Sequence, residues 1–241
     1  MAWTAWRKTV TQINGIRGRS LSGDGRQRAI IDLSGGRART ARPASRAASA
    51  RTVDLTKQTP RAEITGRGVL QMNLNWSVTA EADLDLGCMV LTRDGAGVAV
   101  QPLGGQFGDL DAWPYVSLDQ DDRTGETSDG ETLCVSLEHR HHFTKLLVYV
   151  YIYEGAVDFR SLGGIVTVSA PSGTWRIHLD DSPAGATSCA IALLTPGRST
   201  TLDLRREVRW FTAEPLLSNQ QLIDAAYGFG FDWVPGAKPR L

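Results

Sequence analysis

No stretch of this sequence stays apolar long enough to cross a bilayer. The longest strongly apolar run, Leu146 to Tyr153, is about eight residues, against the roughly 20 that a spanning helix needs. Arg7 and Lys8 are not followed by the apolar run of about 7 to 15 residues that a secretory signal requires. Cysteine is scarce too. Cys88, Cys134 and Cys189 make an odd number with no CxxC pair, which argues against a disulfide framework and assigns the thiols to packing. The GxxxxGKS/T loop, the GxGxxG fingerprint and the GxSxG elbow are all absent, so nucleotide binding and α/β-hydrolase chemistry have no motif behind them. The expectation is a cytoplasmic protein that is not an enzyme, with attachment at the inner face of the membrane as an alternative location.

A net charge of one sign is also missing, although the balance hides two opposite halves. Residues 1–51 hold eleven of the 26 basic residues and only Asp24 and Asp32 of the 26 acidic ones. Their surplus of nine positive charges is mirrored by nine negative charges in 52–241. Residues 34–51 offer almost no large apolar side chain to bury, so 1–51 reads as a disordered basic extension. Such a segment can attract nucleic acid or anionic membrane. Within it, Trp3, Trp6, Val10 and Ile13 recur at spacings of three and four, as one face of a short helix would require.

From residue 52 onward, short alternating runs separated by turn residues predict an all-β domain, 52–241. Leu70, Met72, Leu74, Trp76 and Val78 alternate with Gln71, Asn73, Asn75 and Ser77, the period of a half-buried strand. Asp94-Gly95 marks a hairpin. Further strands are predicted over 84–92, 132–137, 145–153, 165–169, 174–179, 188–194 and 207–212, enough for two stacked antiparallel sheets. Ser218 caps a predicted helix over 219–227, which Gly228 ends.

The chemistry-bearing residues are acidic. A strand through 83–86 puts Asp83 and Asp85 on one face and Leu84 and Leu86 on the other. The segment 119–131 bends at Gly125 and Gly130 and gathers Asp119, Asp121, Asp122, Asp129 and Glu131, hard oxygen donors of the kind Ca²⁺ takes in sixes to eights. It is not an EF-hand, because Arg123 and Thr124 stand at the fifth and sixth positions of that template.

Asp83-Leu84-Asp85, then Asp121-Asp122-Arg123-Thr124-Gly125-Glu126, then Asp129-Gly130-Glu131 running into 133–137, resemble in order and spacing the TerD family of tellurium-resistance and stress proteins. The resemblance covers roughly 52–231. It implies a calcium-binding β-sandwich with Asp83, Asp85, Asp121, Asp122, Asp129 and Glu131 as metal ligands, acting as sensor, buffer or scaffold with protein partners in a stress response. Asp122 stands where that family usually has Asn, Thr127 where it has Gly, and the loop is one residue shorter. Asp180-Asp181, after the 174–179 strand, is a candidate second metal site. An adaptor using the basic extension and a metal-dependent hydrolase are the rival functions. His139, His141 and His142 lack a zinc motif and read as a turn. Tyr149, Tyr151 and Tyr153, alternating on one strand, read as cross-strand packing rather than a stacking platform.

Overall fold

Alternation becomes strand throughout the described chain. A computed structural model describes residues 2–6, 52–77, 82–119 and 130–238. The first strands are β1 (Ala2–Trp6), β2 (Val53–Asp54), β3 (Arg61–Ile64), β4 (Val69–Asn75), β5 (Asp83–Thr92) and β6 (Gly97–Val100). After them come β7 (Gly108–Asp109), β8 (Val116–Leu118), β9 (Glu131–Ser136), β10 (Phe143–Glu154), β11 (Gly164–Ala170) and β12 (Gly173–Leu179). The chain closes with β13 (Ala186–Pro196), β14 (Leu202–Thr212), helix α1 (Asn219–Tyr227) and β15 (Asp232–Gly236).

The strands form an eight-stranded sheet, β15-β1-β6-β5-β10-β13-β14-β3, and a seven-stranded sheet, β2-β12-β11-β4-β9-β8-β7. The pairings are antiparallel except that of β2 with β12. In β4 the apolar members Leu70, Met72 and Leu74 are buried and meet Leu84, Leu86, Leu146 and Val148 of the larger sheet in the core between the sheets. The expected two-sheet sandwich with a short C-terminal helix is the observed architecture.

A second apolar layer covers the outer face of the larger sheet. Met89, Leu147, Tyr149 and Tyr151 pack there beneath Ile223 of α1 and beneath Phe229 and Phe231, which follow it. Strands β5 and β10 are thus buried on both faces, which explains their near-continuous apolar sequence. Gly87 makes the fit possible. It lies opposite Tyr149 in the register, and a Cβ at that position would come within 2.5 Å of the tyrosine ring. Helix α1 carries the expected cap: the Ser218 side chain accepts from Gln221 N–H while the Gln221 side chain accepts from Ser218 N–H, and Gly228 closes the helix in the left-handed region.

The start of the chain departs from its helical spacing. Ala2–Trp6 is a strand that pairs with β15 from Ala2↔Gly236 to Trp6↔Asp232 and touches β6 at Trp6↔Val98. An isolated helix of that length is marginal in water, whereas the ladder satisfies backbone groups on both chain ends at once. Val10, Ile13 and the rest of 7–51 lie outside the described residues. No helix among the described residues is long and apolar enough to cross a membrane. All three cysteines are free; Cys88 and Cys189 are buried and Cys134 is half-buried.

Candidate metal centre

Strand β5 turns its residues alternately to the two faces of its sheet. Leu84 and Leu86 enter the inter-sheet core, so Asp83 and Asp85 share the outer face, as the period of two requires. Asp85 is fully buried there, and the Asp83 side chain is 12% exposed. One cation spans both. Lys238 Nζ lies 2.9 and 2.8 Å from the two carboxylate oxygens of Asp83 and 2.6 Å from Asp85 Oδ1. The lysine side chain is itself only 4% exposed, and its ammonium sits 4.3 Å from the centre of the Tyr153 ring, a cation–π contact strengthened by exclusion of water. Behind Lys238 the backbone is pinned by Gly104 N–H donating to Ala237 O at 2.8 Å.

Tyr151 is the cross-strand neighbour of Asp85. Burial pushes the Asp85 carboxyl up to about 6, and the attraction and hydrogen bond of Lys238, followed by the Tyr151 hydroxyl, only partly pull it back. Burial and then the charge of Asp85 drive the Tyr151 phenol well above its ordinary value. Even with an ammonium at 2.6 Å, the Asp85 anion is therefore under-compensated for its loss of water.

Glu131 reaches the same end of the sandwich from the other sheet. It is the first residue of β9 and points inward with Leu133 and Val135, fully buried. Its Oε2 accepts the Leu86 N–H at 2.5 Å, so it approaches β5 from the inter-sheet side. The segment leading to Glu131 is tied at its base. Asp119 Oδ1 accepts from Thr132 N–H at 2.7 Å while Asp119 N–H donates to Thr132 O at 3.0 Å. Gly130 has φ +60°, and a Cβ there would stand 2.1 Å from Leu74 O, so only glycine fits where the chain enters β9.

Of the residues that sequence reasoning selects, the structure brings Asp83 and Asp85 onto one cation and places Glu131 one residue further along, across the strand. Asp121, Asp122 and Asp129 lie outside the described residues. Asp180 and Asp181 stand apart from this end group. Asp181 Oδ2 pairs with Lys57 Nζ at 2.7 Å and its Oδ1 accepts from Trp210 Nε1 at 3.3 Å. Burial raises its carboxyl, but those two donors outweigh that and leave it below the ordinary value. Among the described residues, no three His, Cys, Asp or Glu side chains stand together as a ready-made metal cluster.

Lys238 is the residue that the sequence did not flag, and Tyr151 reads there only as packing. The lysine is 155 residues from Asp83 in the chain, and no local pattern connects them. For the tyrosines, packing is the outcome: Tyr149 and Tyr151 are buried and only Tyr153 is exposed. The histidines form a single turn, with His139 stacked on Tyr115 at 4.1 Å between ring centres.

No family model matches the chain. Over 204 residues it is 32% identical to the tellurium resistance protein TerA of Alcaligenes sp, an alignment covering 77% of this chain. The chain spans 58% of the length of that curated relative. Among solved structures, a homologue of the telluride resistance protein TerD from Streptomyces coelicolor A3(2) matches at 19% identity and a TM-score of 0.45, covering 63% of this chain and 94% of that one. A crystal structure of a protein of unknown function matches at 13% identity, with the same coverages and a TM-score of 0.48.

Proposed function

The chain belongs to the TerA/TerD tellurium-resistance family, and from that premise we propose that it is a calcium-binding stress-response protein, a sensor, buffer or scaffold for partner proteins and not an enzyme. The supporting observation is the buried, under-compensated carboxylate of Asp85 beside Asp83, with Glu131 reaching the same strand from its other face. Carboxylate oxygens are the donors a hard divalent cation takes, and a second positive charge would offset the desolvation that one ammonium leaves unmet. In this reading Glu131 and the acidic residues of 119–131 supply most of the oxygens, because Lys238 already spans Asp83 and Asp85. An ion that shares the aspartate pair has to displace the lysine.

Calcium calorimetry on the full chain, Glu131→Gln, Asp121→Ala and Lys238→Ala tests the proposal. The expected result is saturable binding that weakens about tenfold or more in the first two variants, the scale of a lost charged contact. Tighter binding by Lys238→Ala would locate the ion on Asp83 and Asp85, and unchanged binding would leave those residues to the lysine. Absence of binding by the full chain, or binding indifferent to both Glu131→Gln and Asp121→Ala, would refute the proposal.

A further inference from the structure

Opposite the acidic group, the far ends of the same strands carry a concentration of arginine. Asp83 opens β5 and Arg93 follows its last residue, so the two ends are separated by about 30 Å, ten residues at a strand rise of about 3.3 Å. Four turns converge at the arginine end: the β3–β4 turn with Arg67, the β5–β6 hairpin with Arg93, the β9–β10 connection with Arg140 and His141, and the β13–β14 hairpin with Ser199 to Thr201. Between them lies a cavity of about 240 Å³ whose lining includes Arg67, Arg93, Arg140 and His141 against one acidic residue, Glu138.

The three arginine-bearing turns are stitched to one another. Arg140 Nη1 donates to Gly66 O at 2.5 Å, Leu137 N–H to Gly68 O at 2.8 Å, and Gly68 N–H to Glu138 Oε1 at 3.2 Å. Arg93 N–H donates to His142 O at 2.8 Å, tying the hairpin to the histidine turn. Glu138 approaches Arg67 only at 3.9 Å, with the arginine side chain 84% exposed. One carboxylate at that distance does not neutralise three guanidiniums. Ser199, Thr200 and Thr201 of the β13–β14 hairpin also line the cavity, with the Thr201 hydroxyl donating to Arg198 O at 3.0 Å and keeping its acceptor capacity.

We infer that this cavity is a binding site for a doubly charged oxyanion of the phosphate class, taken up free or as the headgroup of an anionic lipid. Guanidiniums present paired N–H donors in the planar geometry that matches a phosphate edge, and hydroxyls complete its acceptor-rich surface. Because these bonds hold the Arg67, Arg93 and Arg140 turns in place before the anion arrives, the ordering left to binding is mainly that of the arginine side chains. The site is independent of the calcium reading: it uses other residues, charge of the other sign and the other end of the strands.

Inorganic phosphate titrated calorimetrically into the full chain and into an Arg67→Ala/Arg93→Ala double variant tests the site, with co-sedimentation on phosphatidylcholine vesicles with and without phosphatidic acid as the second arm. Among the described residues, neither replaced side chain makes a hydrogen bond or ion pair beyond the long Arg67–Glu138 contact, so the melting temperature should not move. The expected result is phosphate binding that falls at least about tenfold in the double variant, the scale of losing charged hydrogen bonds. Capture on phosphatidic acid vesicles without response to free phosphate, lost in the same variant, would assign the anion to a lipid headgroup. The basic segment 7–51 is present in both proteins and cancels from the comparison. Equal binding by full chain and double variant in both arms, or binding by neither, would overturn the inference.

Discussion

The two ends of the sandwich are assembled from the same strands and treat charge in opposite ways. At one end Asp83, Asp85, Glu131 and Lys238 are withdrawn from water and held at fixed distances from one another. At the other, Arg67 and Arg93 stand in solvent on turns that other groups hold in place. Burying charge makes the acidic end dependent on each partner, because a lone buried ion costs several kcal/mol. Leaving charge in water makes the arginine end cheap to alter and available to a ligand. One end is therefore part of the fold's stability, and the other is surface chemistry carried by it.

The contrast is broken most directly by removing the lysine. Lys238→Ala should destabilise the calcium-free protein by about 3 to 5 kcal/mol in thermal or denaturant unfolding at pH 7, the range for stripping one partner from a buried ion pair. A loss below about 1 kcal/mol would show that water reaches the aspartates and that the two ends do not differ in kind.

Asp85 provides the next largest effect. Its folded-state carboxyl titrates near 6 against an ordinary value of 3.8, so the folded protein holds this proton more tightly than the unfolded chain does. The raised value favours folding below pH 4, and this advantage disappears as pH climbs from about 4 to about 6, a swing of about 3 kcal/mol for a shift of about two units. Subtracting the stability–pH curve of Asp85→Asn from that of the full chain should isolate this fall; parallel curves would mean that Asp85 is not desolvated.

The smallest effect belongs to the arginine end. Arg67→Ala should shift stability by no more than about 0.5 kcal/mol, and 0.5 M salt should reduce even that, as for exposed ion pairs. A larger loss would mean that the solvated end also contributes to the fold.

Much of this was legible in the sequence, for a definite reason. Strands with one wet face, such as β4, show their period directly, and the shared face of Asp83 and Asp85 follows from two residues alone. Helix α1 was readable to its ends because both caps are local chemistry, Ser218 at the start and Gly228 at the stop. Glu131 carried a signal that could have been used: counting back by twos from Leu133 turns it inward, into the core rather than into a solvated loop. What stayed hidden depends on pairings between distant parts of the chain. Strand β15 contains Pro235, a residue that argues against strand, and β1 carries tryptophans at helical spacing; each is a strand because the other is beside it. Lys238 finds its aspartates for the same reason, carried to them by β15. The arginine cavity is scattered over four turns, and no window of the sequence displays it as a unit.

The ladder that joins β1 to β15 changes what it means to trim this protein. The strands on either side of residues 7–51 belong to different sheets, β1 to the larger and β2 to the smaller. A truncation that starts the protein at residue 52 would do more than shed basic charge. It would pull a strand from between β15 and β6, leave two raw backbone edges of the sort that recruit other chains, and loosen the segment that delivers Lys238. Excising 7–51 while splicing 2–6 back through a short linker would separate the effect of the charge from that of the missing strand.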